Sequence, residues 1–262
     1  MRLNLELQKM EGFTSRYTEY VKVLRSRADS SKLDELAEFR HMDRKAFDEA
    51  GVFYIKDMAE LLVPDYLDIL NDFGLISKVN GKPIFHERYV IPVLNTKGKV
   101  INLVGYSWLA PERYVYGTSK YYRRKDTLYG LENLHLAYEM GYAVLVEGIT
   151  DAIRLRSLGI KNVFANCGTH SSPFITAQLN RCRYGVIKIP DRDDAGLRAN
   201  RQWEFSRYIT IFPPAMYKDI DEMLRDNGNV EWFLNYFNEC VKILLDERKR
   251  CLKGKILETT II

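Results

Sequence analysis

Ala143-Val-Leu-Val146-Glu147-Gly148-Ile-Thr-Asp151 decides how the second half of this chain is read. Four apolar residues run without alternation, as in a strand buried on both faces of a sheet. A glutamate follows at once, and Thr150 to Leu158 has helical spacing closed by Gly159. The alternation then repeats. Asn162 to Ala165 is the next strand, and Ser171-Ser-Pro173 supplies an N-cap and a first-turn proline for a helix running to Cys182. Tyr184 to Ile189 reads as a strand, Ala195 to Phe205 as a helix and Tyr208 to Phe212 as a strand. Strand–helix repeats with short links predict an α/β unit, a mostly parallel sheet flanked by helices.

Upstream the texture differs. Ser15 to Leu24 and Lys32 to Phe39 have apolar positions three and four apart, and Asp57 to Phe73 continues the pattern, with Pro64 opening a second helix and Gly74 stopping it. Arg88 to Leu94 and Lys99 to Gly105 are β-rich runs joined by the turn Asn95-Thr-Lys-Gly98, a β-hairpin, with a third β segment at Arg113 to Tyr116. Past Val230 the chain reads as one or two helices to Lys253. These shifts predict a helical region over 1–78, a basic α+β subdomain over 79–138, the α/β domain over 139–228 and a helical tail over 229–262.

Composition narrows the function classes. Hydrophobic residues at 46% and charged residues at 28% exclude a disordered or fibrous chain. No window approaches the roughly 18 apolar residues of a membrane span, and no apolar run follows Arg2 as in a secretory signal. The four cysteines, at 167, 182, 240 and 251, lack the paired spacing of a zinc site and read as buried thiols in a reducing cytoplasm.

Three groups of carboxylates fall just past predicted strands: Glu147 with Asp151, then Asp191 and Asp193 with Asp194, then Asp219 and Asp221. In open α/β sheets the carboxyl ends of the strands form the ligand rim. Acids converging there repel one another, and a hard divalent cation with oxygen ligands relieves the repulsion. Such an ion suits phosphoryl or nucleotidyl transfer, or the matching hydrolysis. The plainer role of an acid after a strand is a helix cap or first-turn residue, which fits Asp194, Asp219, Asp221 and Glu222.

Taken together, Val146-Glu147-Gly-Ile-Thr-Asp151, Gly159-Ile-Lys-Asn-Val-Phe-Ala165, Cys167-Gly168-Thr169, Asp191-Arg-Asp193-Asp-Ala-Gly196 and Asp219-Ile-Asp221 resemble, in order and spacing, the TOPRIM domain of DnaG-type primases of bacteria and their phage relatives. The upstream segment from Phe85 through the hairpin to Gly105, with Leu128-Tyr-Gly-Leu131, is similar to the part of these primases that precedes TOPRIM. The resemblance covers about residues 70–225. It implies a Rossmann-like TOPRIM fold preceded by a helical and basic β-hairpin subdomain. It also implies synthesis of short RNA primers on single-stranded DNA from nucleoside triphosphates, by metal-dependent nucleotidyl transfer.

By that resemblance Glu147, Asp191 and Asp193 are the catalytic metal ligands for Mg²⁺ or Mn²⁺, with Asp151, Asp219 and Asp221 as supporting acids and no zinc. Gly168, Thr169 and Arg124 lie toward the nucleotide. Arg88, Lys99, Arg113, Arg123, Arg124 and Lys125 lie toward nucleic acid. Further partners implied are a replicative helicase or a separate zinc-binding module, in a bacterial or phage-infected cytoplasm. Arg192 stands where the family has glycine. Without the family's zinc ribbon or large C-terminal domain, the sequence reads as a lone catalytic core, a fragment, or a specialised phage or mobile-element primase. Rival readings are a TOPRIM nuclease, which turns the same acids on water, and a weakened replication accessory that binds single-stranded DNA or a helicase.

Charge is uneven along the chain. Residues 87–125 hold eight Lys or Arg against two acids, +6 locally in a chain of net charge +4. Aromatics interleave there. Cationic grooves with stacking rings bind single strands with little sequence choice. Tyr106 and Trp108 read as core, and Arg123-Arg-Lys125 reads as the nucleic-acid contact.

Overall fold

The computed structural model describes residues 2–77, 80–118, 122–167, 172–246 and 255–257. The chain forms two compact units, residues 1–124 and 125–262.

The first unit opens with helix α1, Arg2–Arg27. Tyr17, Tyr20, Val21 and Leu24 fall on one stripe of it and are buried, as residues three, four and seven apart on a helix should be. The Tyr17 ring stacks on Phe73 with centroids 3.5 Å apart. Helices α2 (Lys32–Arg40), α3 (Arg44–Glu49), α4 (Met58–Leu61) and α5 (Leu67–Asp72) follow, and Pro64 opens a short 3-10 turn rather than a full helix. The predicted hairpin is present as β2 (Arg88–Leu94) and β3 (Val100–Tyr106), with β4 at Tyr114–Tyr116. An unpredicted strand, β1 (Phe53–Ile55), pairs antiparallel with β2, with Phe53 opposite Val90. The sheet runs β1-β2-β3-β4. Because β1 comes from the predicted helical region and shares a core with Val90 and Leu103, the sequence boundary at 78/79 falls inside one unit.

In the second unit the elements are β5 (Leu128–Tyr129), α6 (Leu134–Met140), β6 (Tyr142–Val146), α7 (Ile149–Ser157), β7 (Val163–Asn166) and α8 (Pro173–Leu179). Then come β8 (Gly185–Ile189), α9 (Asp194–Gln202), β9 (Tyr208–Ile211), α10 (Ile220–Met223), α11 (Gly228–Leu245) and β10 (Lys255–Leu257). The strand order is β10-β9-β8-β6-β7-β5. All pairs are parallel except β5 with β7. Strand β10 corrects the expectation of a wholly helical tail: it adds to the edge of the sheet beside β9. From β6 the chain steps to β7 on one side, then crosses to β8 on the other. That reversal leaves a crevice at the carboxyl ends of β6 and β8, where open α/β sheets bind ligands.

Among the described residues, no helix is long and apolar enough to cross a membrane.

Candidate active site

Val146 and Ile189 are register partners in adjacent parallel strands. The chain leaves β6 at Glu147 and β8, through Pro190, at Asp191, so the pairing alone makes these acids neighbours. The Asp191 N–H donates to Glu147 Oε1 at 3.1 Å. Asp193 caps helix α9, its Oδ1 accepting from the Gly196 N–H at 2.8 Å. Asp219 caps α10, its Oδ1 accepting from the Glu222 N–H at 2.7 Å. Each cap uses one carboxylate oxygen, Oδ1. Gly196 is required by close approach: a Cβ there would sit 2.6 Å from Glu147 Oε1 and 2.4 Å from the Asp191 carbonyl.

Electrostatics record the convergence. Burial, then the charges of Asp191 and Asp193, push the Glu147 carboxyl up to about 7. Burial, then Asp219, push Asp191 up to about 6. Desolvation and neighbouring like charge each favour the protonated carboxyl, and here they act together. One cation answers them: Lys218 Nζ lies 3.6 Å from Asp191 Oδ2 and 3.4 Å from Asp193 Oδ2. Among the described residues no three His, Cys, Asp or Glu side chains close into a ready cage. The side chains that meet here are carboxylates, so any donors are oxygens. This fits a hard divalent ion that keeps much of its water, as Mg²⁺ does, and Lys218 marks that the rim accepts positive charge.

Two acids predicted as supporting ligands are otherwise committed. Asp151 is buried, its Oδ2 accepting from the Gly148 N–H and its Oδ1 from the Asp221 N–H, both at 3.1 Å. Burial, with Asp219 and Asp191 nearby, pushes its carboxyl well above the usual range. It staples the start of α7 to α10. Asp221 is fully buried and holds Arg154 Nε at 3.0 Å on Oδ1 and Arg225 Nη2 at 3.0 Å on Oδ2. Each carboxylate has both oxygens engaged within the fold, and both act as braces behind the rim. Arg192 does not crowd the acids. Its Nε donates to the Pro213 carbonyl at 2.7 Å and its guanidinium lies over the Phe212 ring.

Gly168 and Thr169, with His170, lie outside the described residues, as do Lys120 and Tyr121 of the basic stretch. Of the predicted nucleic-acid contacts, Arg113, Arg123, Arg124 and Lys125 are exposed. Arg124 stacks over the Tyr116 ring, 3.5 Å from its centroid. Lys99 is half-buried at the edge of a cavity of about 330 Å³ that Glu11, Lys97 and Tyr122 also line. Arg88 is corrected: it is buried, and its Nη1 donates to the carbonyls of Glu112 (2.9 Å) and Arg113 (3.3 Å), so it braces the turn before β4. Tyr106 is core, and Trp108 stacks between Phe39 and Tyr89. Lys218 and Gly196 were not singled out from sequence. The signal for Lys218 was available: it directly precedes Asp219, and clustered acids need a counter-charge.

Comparison with known proteins supplies the frame for this geometry. Residues 144–224 match the Toprim-like family. The chain is 30% identical over 211 residues to the DNA primase of Aquifex aeolicus, covering 75% of this chain and 42% of that protein. It is 25% identical over 253 residues to the DNA primase of Thermotoga maritima, covering 86% and 44%. It thus spans less than half the length of these relatives. The crystal structure of the zinc-binding and RNA polymerase domains of the Aquifex aeolicus primase superposes with a TM-score of 0.68 at 26% identity, over 79% of this chain and 55% of that one. A DnaG primase catalytic domain bound to single-stranded DNA shares the fold, with a TM-score of 0.69 at 20% identity over 91% and 80%.

Proposed function

From the catalytic-core fold of the DnaG-type primases, with its Toprim-like domain, which this chain has, we propose that the protein joins ribonucleotides on a single-stranded DNA template. The observation that carries the proposal is the meeting of Glu147, Asp191 and Asp193 at the switch point of the sheet, with the carboxyls of Glu147 and Asp191 pushed up by burial and neighbouring negative charge. Glu147, Asp191 and Asp193, with Asp219 beside them, would hold Mg²⁺ or Mn²⁺. An ion held there offsets charge on the triphosphate and lowers the pKa of the attacking 3′ hydroxyl.

The chain's own residues do the positioning. The Asp191 N–H fixes the Glu147 carboxylate, and Gly196 lets α9 approach it closely. Asp151 and the Arg154–Asp221–Arg225 group hold α10, and with it Asp219, against α7. Exposed Arg113, Arg123, Arg124 and Lys125 offer cationic contacts to a phosphate backbone. No protein nucleophile is needed, and Cys167, Cys182 and Cys240 are buried.

The test is incubation with single-stranded DNA, labelled ribonucleotides and Mg²⁺ or Mn²⁺, with products resolved by length. Wild type should extend short RNA, and Glu147→Gln should lose extension by at least a hundredfold while retaining single-strand binding. Extension by Glu147→Gln at the wild-type rate would overturn the assignment. Metal-dependent shortening of the DNA in place of new RNA would make the protein a nuclease on the same acids.

A further inference from the structure

We propose that Lys218 is the resident counter-cation of the acid rim, holding Asp191 and Asp193 until a divalent ion arrives and competing with that ion for them. This rests on the reading that the rim receives a divalent ion, and it makes Lys218 a residue that sets how tightly the ion is held.

The geometry separates an anchored stem from a movable head. The Lys218 N–H donates to Glu222 Oε2 at 2.7 Å, and its carbonyl accepts from the Arg192 N–H at 2.7 Å. The backbone is thus tied to α10 on one side and to the Asp191–Asp193 loop on the other. The ammonium is held more loosely. Its contacts of 3.6 Å and 3.4 Å to Asp191 Oδ2 and Asp193 Oδ2 exceed the span of about 2.7–3.2 Å of a well-formed N–H···O bond. They are long, weak contacts in which attraction between charges is the larger part. The side chain is 51% exposed, so the head can leave for water without disturbing the core. Lysine suits the part: a compact charge on a flexible four-carbon stem, without the rigid fork by which arginine grips a carboxylate.

The competition follows from the atoms used. Lys218 faces Oδ2 of Asp191 and Oδ2 of Asp193, and Asp193 has its other oxygen in the α9 cap. An ion ligated by Asp193 would meet Lys218 at the same oxygen. Arg192, although between the two aspartates in sequence, is turned onto Pro213 and Phe212 and cannot substitute. Loss of the Lys218 charge should therefore have two effects of opposite sign. The metal-free fold loses its counter-charge, and the ion loses its competitor.

The experiment is titration of Mn²⁺ alone into the full chain by calorimetry, with thermal melts in parallel, for wild type, Lys218→Met and Lys218→Arg. Lys218→Met should melt lower than wild type without metal, bind Mn²⁺ at least tenfold tighter, and gain more in Tm from it. Lys218→Arg, whose fork can seat on both aspartates, should bind Mn²⁺ more weakly than wild type. A lysine with only a structural role would lower the melt without tightening the ion. Equal or weaker Mn²⁺ binding by Lys218→Met, or unchanged binding by Lys218→Arg should the methionine variant not fold, would overturn the inference and leave the metal reading intact. Absence of Mn²⁺ binding in wild type and both variants would overturn the metal reading, and this inference with it.

Discussion

Lys188 sits in β8, three residues before Asp191, and is 3% exposed. Its ammonium donates to the Asn200 carbonyl at 3.2 Å and lies 3.9 Å from the centroid of the Tyr208 ring. It thereby holds the far end of α9, the helix that Asp193 caps, and a cation at a helix C-terminus is favourable. Burial nevertheless pushes its pKa down to about 8. The folded protein then sheds this proton before the unfolded chain does, whose lysines titrate near 10.5. Where the unfolded state holds more protons, stability rises with pH, here between about pH 8 and 10.5. Urea unfolding at pH 7.5 and 9.5 should show wild type gaining on Lys188→Met by on the order of 1 kcal/mol at the higher pH. Cys182 and Cys240, pushed up to about 11 by burial, act with the opposite sign but are common to both proteins, so the difference isolates Lys188. At this scale the sequence is only partly legible. Glu147, Asp191 and Asp219 could be placed on one rim because each follows a strand or cap of a recognisable pattern. Asp151 and Asp221 share that pattern, yet their oxygens are spent on backbone N–H groups and arginines from other elements. A sequence shows an acid's neighbours along the chain and not those across the fold.

Among the elements, the short helix α10 has the most to hold in place for its length. Four residues cannot form a stable helix alone, so Asp219 reaches the rim only because other groups fix the turn. The Arg154–Asp221–Arg225 group does this with side chains 5%, 1% and 30% exposed. Removing one member of such a buried set leaves an uncompensated charge, at a cost of about 3–5 kcal/mol. Asp221→Ala should lower unfolding stability by that amount in urea titrations, while Asp221→Met in an Arg154→Met background should recover much of it. A loss below about 1 kcal/mol in the single variant would remove Asp221 from this role. The strands that carry the site were legible because β6 is an unbroken apolar run and β8 is apolar apart from Lys188, a pattern forced by burial on both faces. Strand β1 was not: Phe53-Tyr-Ile55 is three residues between two stretches of helical spacing, and it pairs with β2. Strands β5 and β10 are as short and pair with β7 and β9.

For the molecule as a whole, charge divides the labour. The stretch 87–125 carries +6, so the remainder of the chain is net −2 and contains the acid rim. Within the stretch, the structure takes Arg88 out of the count by burying it and leaves Arg123, Arg124 and Lys125 exposed side by side. For single strands each phosphate contact contributes about 0.7 to the slope of log affinity against log salt. Replacing these three residues by glutamine in the full chain should therefore reduce the slope by about 2, measured by fluorescence anisotropy on labelled oligothymidylate across a salt series. Glu147→Gln, changed on the rim, should leave the slope as in wild type. An unaltered slope in the triple variant would move the nucleic-acid contact elsewhere on the protein, and an altered slope in Glu147→Gln would place the strand against the acids themselves.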